Sequence, residues 1–397
     1  MTSYDLRAES HALIAQLVAD RRHLHRHPEL AGHEQQTARY LAERLSALGL
    51  HPQLLLDDTA VSVDVAGSGP GNRVLLLRAD TDALPIQERG EDHPYRSEIP
   101  GVMHACGHDG HMAIALGAAE LLEKHKEHFG GLVRVIFQPA EETAGGAERM
   151  ISAGVMESPK VDAALGLHLW SGQQVGRVGV RAGAIFASAD EFAVEIRGRG
   201  GHGALPHQAL DPIPIASLVV LALQTLVSRE TSPYASTVVT VGTIQAGQAF
   251  NVIPETAQLT GTVRAFTEED RERLLRRIGE VASGIAGGFG ASATMVRGAG
   301  CPPVICDPEM AQLVREAVAE SPGAELIEPE PLTVGDDVAL YLRRVPGCYF
   351  LLGSGNESSG ITAPHHHPDF DIDEGCLPIG AEVLTRAALR YLAQSAD

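Results

Sequence analysis

The run at residues 103–111, Met-His-Ala-Cys-Gly-His-Asp-Gly-His, constrains this chain more than any other stretch. Cys106 and His108 can bind one metal ion if the backbone between them turns sharply, and Gly107 permits such a turn. The residues after Gly110 are mostly small or apolar and predict a buried helix. The run would then lie at a helix N-terminus, where the partial positive charge favours a thiolate. The alternative is a polar loop between a strand and a helix, and the rest of the chain argues against it.

Acidic or imidazole side chains also follow three apolar runs. The runs are residues 74–77 before Asp80 and Asp82, residues 132–137 before Glu141 and Glu142, and residues 163–167 ending at His168. Solid apolar runs are typical of strands covered on both faces, and open α/β sheets place their ligands beyond the carboxyl ends of such strands. Each cluster alone could be a solvated turn. Together with the Cys106 run, they predict one site at one edge of a sheet.

The pattern of elements changes near Gly183. The following stretch of about 110 residues has the order β-α-β-β-α-β, which is the ferredoxin-like arrangement. A chain of 397 residues is long enough for two domains. We therefore predict an α/β domain formed by residues 1–182 and 298–397, with a mixed, mostly parallel sheet and helices on both faces. A ferredoxin-like α+β lid or dimerisation domain, residues 183–297, is inserted between its two parts.

Composition excludes several classes of partner. The formal net charge of −20 argues against nucleic acid or an anionic membrane as a main partner. No apolar run reaches the roughly 18 residues of a membrane span, and the first 25 residues lack an apolar signal core. The five cysteines are odd in number and scattered, which favours a reducing compartment over a disulfide framework. We expect a cytoplasmic protein whose partner is a small-molecule substrate.

The candidate ligands form a mixed set of sulfur, nitrogen and oxygen donors. They are Cys106, His108, Glu142, His168 and one of His365, His366 and His367. Such a set suits Zn²⁺, Mn²⁺, Co²⁺ or Ni²⁺ better than Mg²⁺ or Ca²⁺. Five ligands exceed a four-coordinate structural zinc site and fit two ions that share one group. A water between the ions would be acidified toward hydroxide, and a spare carboxylate could pass its proton to a leaving amine.

These residues predict metal-assisted hydrolysis of an acyl bond. One alternative is a cysteine hydrolase with Cys106 as nucleophile, which predicts activity that survives chelation. A non-catalytic metal-binding dimerisation protein is a further alternative. It predicts that the proton-accepting carboxylate or one of the metal ligands is lost, whereas the sequence contains Glu141 and every candidate ligand.

The chain resembles the metallopeptidase/amidohydrolase superfamily of carboxypeptidase G and the aminoacylases. Within it, the match is to the branch of hippurate hydrolases, N-acyl-amino-acid amidohydrolases and auxin-conjugate hydrolases. The matching motifs follow in order over nearly the whole chain, at residues 78–85, 103–111, 137–142, 166–168, 200–207, 250–255, 261–266 and 365–370. The resemblance implies hydrolysis of N-acyl amino acids, hippurate-like or N-acetyl, to a carboxylic acid and a free amino acid. The alternatives within the superfamily are a dipeptidase, a carboxypeptidase or an N-acyl-diaminopimelate deacylase.

The resemblance also implies roles for individual residues. The metal ligands are Cys106, His108, Glu142, His168 and His366, with His108 in the bridging position and His366 chosen by the family pattern His-x-Pro. Glu141 is the general base, and Asp82 orients a ligand near the metals. Asp80 stands where a related branch has a metal-binding histidine, and its role stays open, as do those of His365 and His367.

The remaining implied residues belong to the inserted domain. His202 and Asn251 match lid residues that reach a substrate, often in the partner subunit's site, and His202 would stabilise an oxyanion. Arg264 matches a residue that binds the substrate's free carboxylate. The resemblance implies a homodimer or higher homo-oligomer formed through the lid. Residues 335–338, Gly-Asp-Asp-Val, depart from the family's frequent Ser-Glu-Asp-Phe, so a contact near the pocket differs.

Overall fold

The computed structural model describes residues 5–90 and 93–393, which form two compact units. The first unit comprises the chain up to Ile185, Ile305–Glu330, and the chain from Asp337 onward. The second comprises Phe186–Val304 and Pro331–Asp336. Among the helices that the structure describes, none has the length and apolar character needed to cross a membrane.

The helices, in chain order, are α1 (Leu6–Ala12), α2 (Ile14–Arg26), α3 (Gln35–Ala47), α4 (His108–Lys124), α5 (Gly146–Ser152), α6 (Pro212–Ser228), α7 (Glu268–Gly288), α8 (Pro308–Ala319), α9 (Ala339–Leu342) and α10 (Cys376–Ala393). The strands are β1 (Gln53–Leu55), β2 (Ala60–Ala66), β3 (Gly69–Asp80), β4 (Gly130–Gln138), β5 (Ala163–Gln174), β6 (Arg177–Gly179), β7 (Gly183–Phe186), β8 (Ala189–Arg197), β9 (Gly201–His202), β10 (Thr237–Ala246), β11 (Val252–Ile253), β12 (Thr256–Ala265), β13 (Ser292–Cys301), β14 (Val304–Cys306), β15 (Glu325–Ile327) and β16 (Gly347–Gly355).

The first unit is built on an eight-stranded sheet of order β1-β2-β4-β3-β5-β16-β6-β15. Its centre is parallel, since β3 pairs in parallel with β4 and β5, and β5 with β16. The buried run that ends β3 explains this position, because a central strand is covered on both faces. Helices α4 and α10 pack on this sheet and on each other. The fold-class prediction is confirmed.

Helix α4 carries the start of the candidate site and is almost entirely buried. Close helix packing depends on Gly117, because an added Cβ would lie 2.8 Å from a Leu17 methyl carbon and 3.1 Å from Ala381 Cβ. The middle of α4 therefore packs closely between α2 and α10.

One strand boundary differs from the sequence prediction. Strand β5 does not end at His168 but continues to Gln174, because it pairs in parallel with β16 as far as Trp170 and again at Gln174. Its last pair with β3 joins Gly166 to Arg78. His168 thus lies inside β5, two residues beyond the point where the neighbouring strand β3 stops pairing with it.

The second unit contains β8, α6, β10, β12, α7 and β13 in the predicted β-α-β-β-α-β order. Its four-stranded sheet is antiparallel with the order β10-β12-β8-β13, so β10 is an edge strand. Helices α6 and α7 pack on the sheet through an apolar core. That core includes Ile215, Val219, Leu223, Leu274 and Ile278.

Candidate metal centre

The turn before α4 has the predicted conformation. Gly107 is the N-cap of α4 and has a left-handed backbone with φ of 89°, which glycine adopts readily. Cys106 lies just before it, and His108 is the first residue of the helix. Both side chains are buried. The turn therefore presents a thiol and an imidazole, two positions apart in sequence, to one interior space.

The five predicted ligands come together in two groups of three. Ligand atoms of Cys106, His108 and His168 lie within 4.8 Å of one another, and so do those of Cys106, Glu142 and His366. Cys106 Sγ lies 3.6 Å from His168 Nε2, and His366 Nε2 lies 3.3 Å from Glu142 Oε1. Cys106 belongs to both groups. The residue groups are suited to divalent ions, as the sequence predicts.

The hydrogen bonds around His108 and Glu142 leave potential ligand atoms available for a metal ion. His108 Nδ1 donates to the carbonyl oxygen of Asp82 at 2.9 Å, which leaves the lone pair on Nε2. Among the residues that the structure describes, His108 Nε2 is buried and has no hydrogen-bond partner, and Glu142 Oε1 is buried without a hydrogen bond although His366 Nε2 lies 3.3 Å away. A buried polar atom without a partner costs roughly 1–3 kcal/mol. A cation bound between these atoms would remove that penalty, so the donors fit a metal ion.

The pKa shifts of Cys106 and His168 also favour a metal site over a nucleophilic cysteine. Burial raises the pKa of its thiol well above the usual range, and the charges of Glu142, Glu141 and Asp80 raise it further. Burial also holds the pKa of His168 well below its usual range. A catalytic cysteine–histidine pair needs the opposite shifts, namely a lowered pKa of the thiol and a raised pKa of the imidazole. A divalent cation is the natural counter-charge for this thiolate, because metal ligation displaces the thiol proton.

The three consecutive histidines have three different environments. His365 stacks on Trp170, with ring centroids 4.6 Å apart, and its Nε2 donates to the carbonyl oxygen of Leu169 at 2.9 Å. His367 Nδ1 accepts a hydrogen bond from the amide of Asp369. His366 has a left-handed backbone with φ of 61°, uncommon for a residue other than glycine. This strained conformation accompanies the approach of its ring to Glu142.

The loop that carries Glu141 and Glu142 is fixed by Asp82. One oxygen of its carboxylate accepts the amide of Glu141 and the other accepts the amide of Glu142, each at 3.0 Å. The backbone carbonyl of Asp82 also orients His108. Asp82 thus holds three members of the candidate site by hydrogen bonds, two through their backbone and one through its ring.

Sequence reasoning left the role of Asp80 open and assigned none to His111. The Asp80 carboxylate lies 2.6 Å from both His111 Nδ1 and an Arg78 guanidinium nitrogen. Burial acts to raise the pKa of Asp80, but His108, Arg78 and His111 outweigh it and hold that pKa well below the usual range. His111 Nε2 accepts from the amide of Leu169 at 2.9 Å, which assigns the ring proton to Nδ1. Asp80 and His111 together therefore hold the backbone amide of Leu169, the residue after His168.

A second buried charge cluster was also missed. The guanidinium of Arg21, on α2, contacts Asp109 at 2.8 Å and Asp371 at 2.8 Å. Asp109 follows His108, and Asp371 lies shortly after His366. The helical pattern of α2 gave no signal for this contact, because a polar residue in an amphipathic helix is normally assigned to the solvent face.

The three predicted residues of the second unit lie on its strands and loops. His202, on β9, is exposed and pairs with Val252 on β11, which places Asn251 nearby, and the Asn251 carbonyl accepts the amide of Gly203. Arg264, on β12, is half-buried and donates to the hydroxyl of Thr262 at 2.6 Å. Their roles toward a substrate stay predictions.

The fold and the ligand groups together are those of a metal-dependent hydrolase, and comparison with known proteins gives the family. Residues 76–390 match peptidase family M20/M25/M40, and the chain belongs to this family. The predicted resemblance and the predicted hydrolase class are confirmed.

Individual relatives cover nearly the whole chain. N-acetyl-L-cysteine deacetylase of Bacillus subtilis is 40% identical over 95% of this chain and 88% of its own. The IAA-amino acid hydrolase ILR1-like 5 of Arabidopsis thaliana is 39% identical over 96% of this chain and 88% of its own. A solved structure of a dinuclear metal-binding M20 peptidase from Bacillus subtilis has a TM-score of 0.84 and 35% identity, covering 96% of this chain and 99% of the other.

Proposed function

We propose that this protein is a dinuclear metal-dependent amidohydrolase that cleaves N-acyl amino acids, of the N-acetyl or hippurate type, to a carboxylic acid and a free amino acid. The observation that carries the proposal is the pair of three-residue ligand groups that share Cys106, with Glu141 directly before the ligand Glu142. The relatives named as an N-acetyl-L-cysteine deacetylase and an IAA-amino acid hydrolase support this substrate class.

The residues that would hold the two ions are Cys106, His108, Glu142, His168 and His366. Cys106 lies in one group with His108 and His168 and in another with Glu142 and His366, and His108 lies in a further group with Glu141 and Glu142. Both Cys106 and His108 thus belong to more than one group, and the expectation that His108 bridges the ions stays a prediction.

The chemistry divides between the ions and the protein. Bound divalent ions would polarise the acyl carbonyl and lower the pKa of a water. Glu141 would accept the proton of that water and deliver it to the leaving amine nitrogen. The Asp82 carboxylate holds Glu141 in place by accepting a hydrogen bond from the Glu141 backbone amide. His202 would stabilise the oxyanion, and Asn251 and Arg264 would bind the substrate, with the Arg264 guanidinium on its free carboxylate.

We further propose that residues 183–297 act as a lid and that two copies of the chain associate through this segment. The outer face of α6 carries Leu218 and Leu221, the latter 67% exposed. Strand β10 is an edge strand with an exposed Ile244. Unpaired strand edges and contiguous apolar residues are features of association surfaces. Leu221→Glu should convert a dimer to a monomer in light scattering, whereas Glu269→Gln on α7 should not.

The experiment that tests the function is amine release from a panel of N-acyl amino acids. The protein is stripped of metal, reconstituted with Mn²⁺, Zn²⁺, Co²⁺ or Ni²⁺, and assayed with and without a chelator. Release that the chelator abolishes supports the proposal. Release that persists in chelator points instead to Cys106 as nucleophile. If only dipeptides or N-acyl-diaminopimelate are cleaved, the proposed substrate class is wrong and a different activity of the family applies.

A further inference from the structure

Glu34 connects the first unit's N-terminal helices to the loop of the candidate base. It is the N-cap residue of α3, and its side chain is completely buried. Its Oε1 atom accepts a hydrogen bond from the amide of Ala140 at 2.8 Å. Ala140 directly precedes Glu141 and Glu142. A residue far from the metal ligands in sequence therefore touches the backbone that carries two members of the site.

Two carboxylates bind three successive amides of this loop. Glu34 accepts from the Ala140 amide, and Asp82 accepts from the amides of Glu141 and Glu142. Ala140 has a left-handed backbone with φ of 56°. Such a conformation is strained in a residue other than glycine, and it persists only where the surroundings hold it. The three successive amides are thus all bound by carboxylates of the protein, one by Glu34 and two by Asp82.

Glu34 does not contribute to stability in an obvious way. Its second oxygen, Oε2, is buried and has no hydrogen-bond partner among the described residues. Burial is the main cause that raises the pKa of Glu34 to about 7, which means that the folded protein disfavours its charged form. An apolar residue at this position would avoid that penalty. A destabilising buried acid that reaches a site loop is expected where function requires it.

We propose that Glu34 is a positioning residue for the hydrolytic reaction. By holding the Ala140 amide, it fixes the left-handed turn from which the Glu141 side chain leaves the loop, and so it sets the direction of the base. Glu34 contacts only backbone and acts on the reaction through Glu141. The inference rests on the proposed function in one respect, namely that Glu141 is the base.

The test compares two substitutions of similar volume. In Glu34→Gln the side-chain oxygen still accepts from Ala140, whereas in Glu34→Met no acceptor remains. We expect Glu34→Met to lower kcat by about 10- to 100-fold with KM changed less than about threefold, since a displaced catalytic group reduces the rate more than binding. We expect Glu34→Gln to retain kcat within about threefold. Glu34→Met removes a buried acid and also leaves the buried Ala140 amide without its acceptor, two effects of opposite sign on stability, so denaturant unfolding of both variants is measured beside the kinetics to show that each is folded.

Amide hydrogen exchange of the metal-free protein gives a readout that is independent of activity. We expect the peptide spanning residues 138–146 to exchange at least about tenfold faster in Glu34→Met than in wild type or Glu34→Gln, while the peptide spanning 347–355 is unchanged. Full kcat in Glu34→Met, equal losses in both variants, or unchanged exchange would each overturn the proposal. An inactive wild type would instead defeat the proposed function, and the exchange comparison would still decide whether Glu34 holds the loop.

Discussion

His366 Nε2 lies 3.3 Å from Glu142 Oε1, and its neighbours His365 and His367 are occupied elsewhere. The contact joins a loop near the end of the chain to the loop after β4. Of the three consecutive histidines, His366 is the one whose ring contacts Glu142. Its neighbour His367 therefore serves as the control when His366 is tested as a ligand.

Replacing His366 by Ala should reduce metal binding, because one three-residue group loses a ligand. We expect bound metal to fall from about two ions to about one per chain, with little remaining activity. His367→Ala removes a partly exposed ring that accepts a hydrogen bond from the Asp369 amide, and it should keep both ions. Elemental analysis after dialysis measures the content. A normal content in His366→Ala would exclude this residue as a ligand.

Glu141→Gln should separate catalysis from metal binding. The variant keeps the loop amides that Asp82 accepts but cannot accept a proton, so turnover should fall by about two to four orders of magnitude at unchanged metal content. Glu142→Gln is the matched control, and it should lose metal as well as turnover. Steady-state kinetics and elemental analysis on the same preparations distinguish the two. Near-normal turnover in Glu141→Gln would remove this residue as the base.

Cys106→Ala should reduce metal binding, because the thiol belongs to two of the three-residue ligand groups. With Co²⁺ in place of the native ion, the sulfur-to-metal charge-transfer absorption in the near ultraviolet should disappear. Cys376→Ala removes another buried thiol that lies in α10 outside both groups, and it should leave the absorption intact. Retained absorption in Cys106→Ala would show that the thiol is not a ligand.

The pH dependence of stability should contain a contribution from Glu34. Its pKa is raised from 4.5 to about 7 in the folded protein, so the folded state binds the proton more tightly than the unfolded state. The favourable contribution is complete below pH 4.5 and is lost as the pH rises through 7. Glu34→Gln cannot ionise, so its free energy of unfolding should exceed that of wild type by roughly 1–3 kcal/mol at pH 8.

Denaturant unfolding of the metal-free proteins between pH 4.5 and 8.5 measures this difference. The gap between the two proteins should shrink toward the acidic end of the range. A constant gap across the range would mean that Glu34 does not titrate in this interval.

Local signals predicted the turn at Gly107, the central strand β3 and four metal-ligand candidates, and they left the fifth candidate open among His365, His366 and His367 until the resemblance selected His366. Each signal lies within a few residues of sequence, where apolar runs and glycine conformations have direct physical meaning. The assembly at one sheet edge was also predictable, because parallel strands place their carboxyl ends together. The ferredoxin-like order of the second unit followed from the alternation of its strands and helices.

Other features depend on contacts between distant parts of the chain. The continuation of β5 past His168 follows from its pairing with β16, which the local pattern does not contain. The contact between Glu34 and Ala140 joins residues 106 positions apart. The choice of His366 depends on a left-handed backbone and on the stacking of His365, neither of which is encoded in a run of three identical residues.

The order of the ligands along the chain has a consequence for biosynthesis. Cys106, His108, Glu142 and His168 are translated before the whole second unit, and His366 is translated after it. A nascent chain that has emerged as far as His168 already contains the first ligand group, but the second group is incomplete until His366 has left the ribosome. On the proposed ligand assignment, full metal loading is therefore a late event in maturation, and a chain terminated before His366 would lack one ligand.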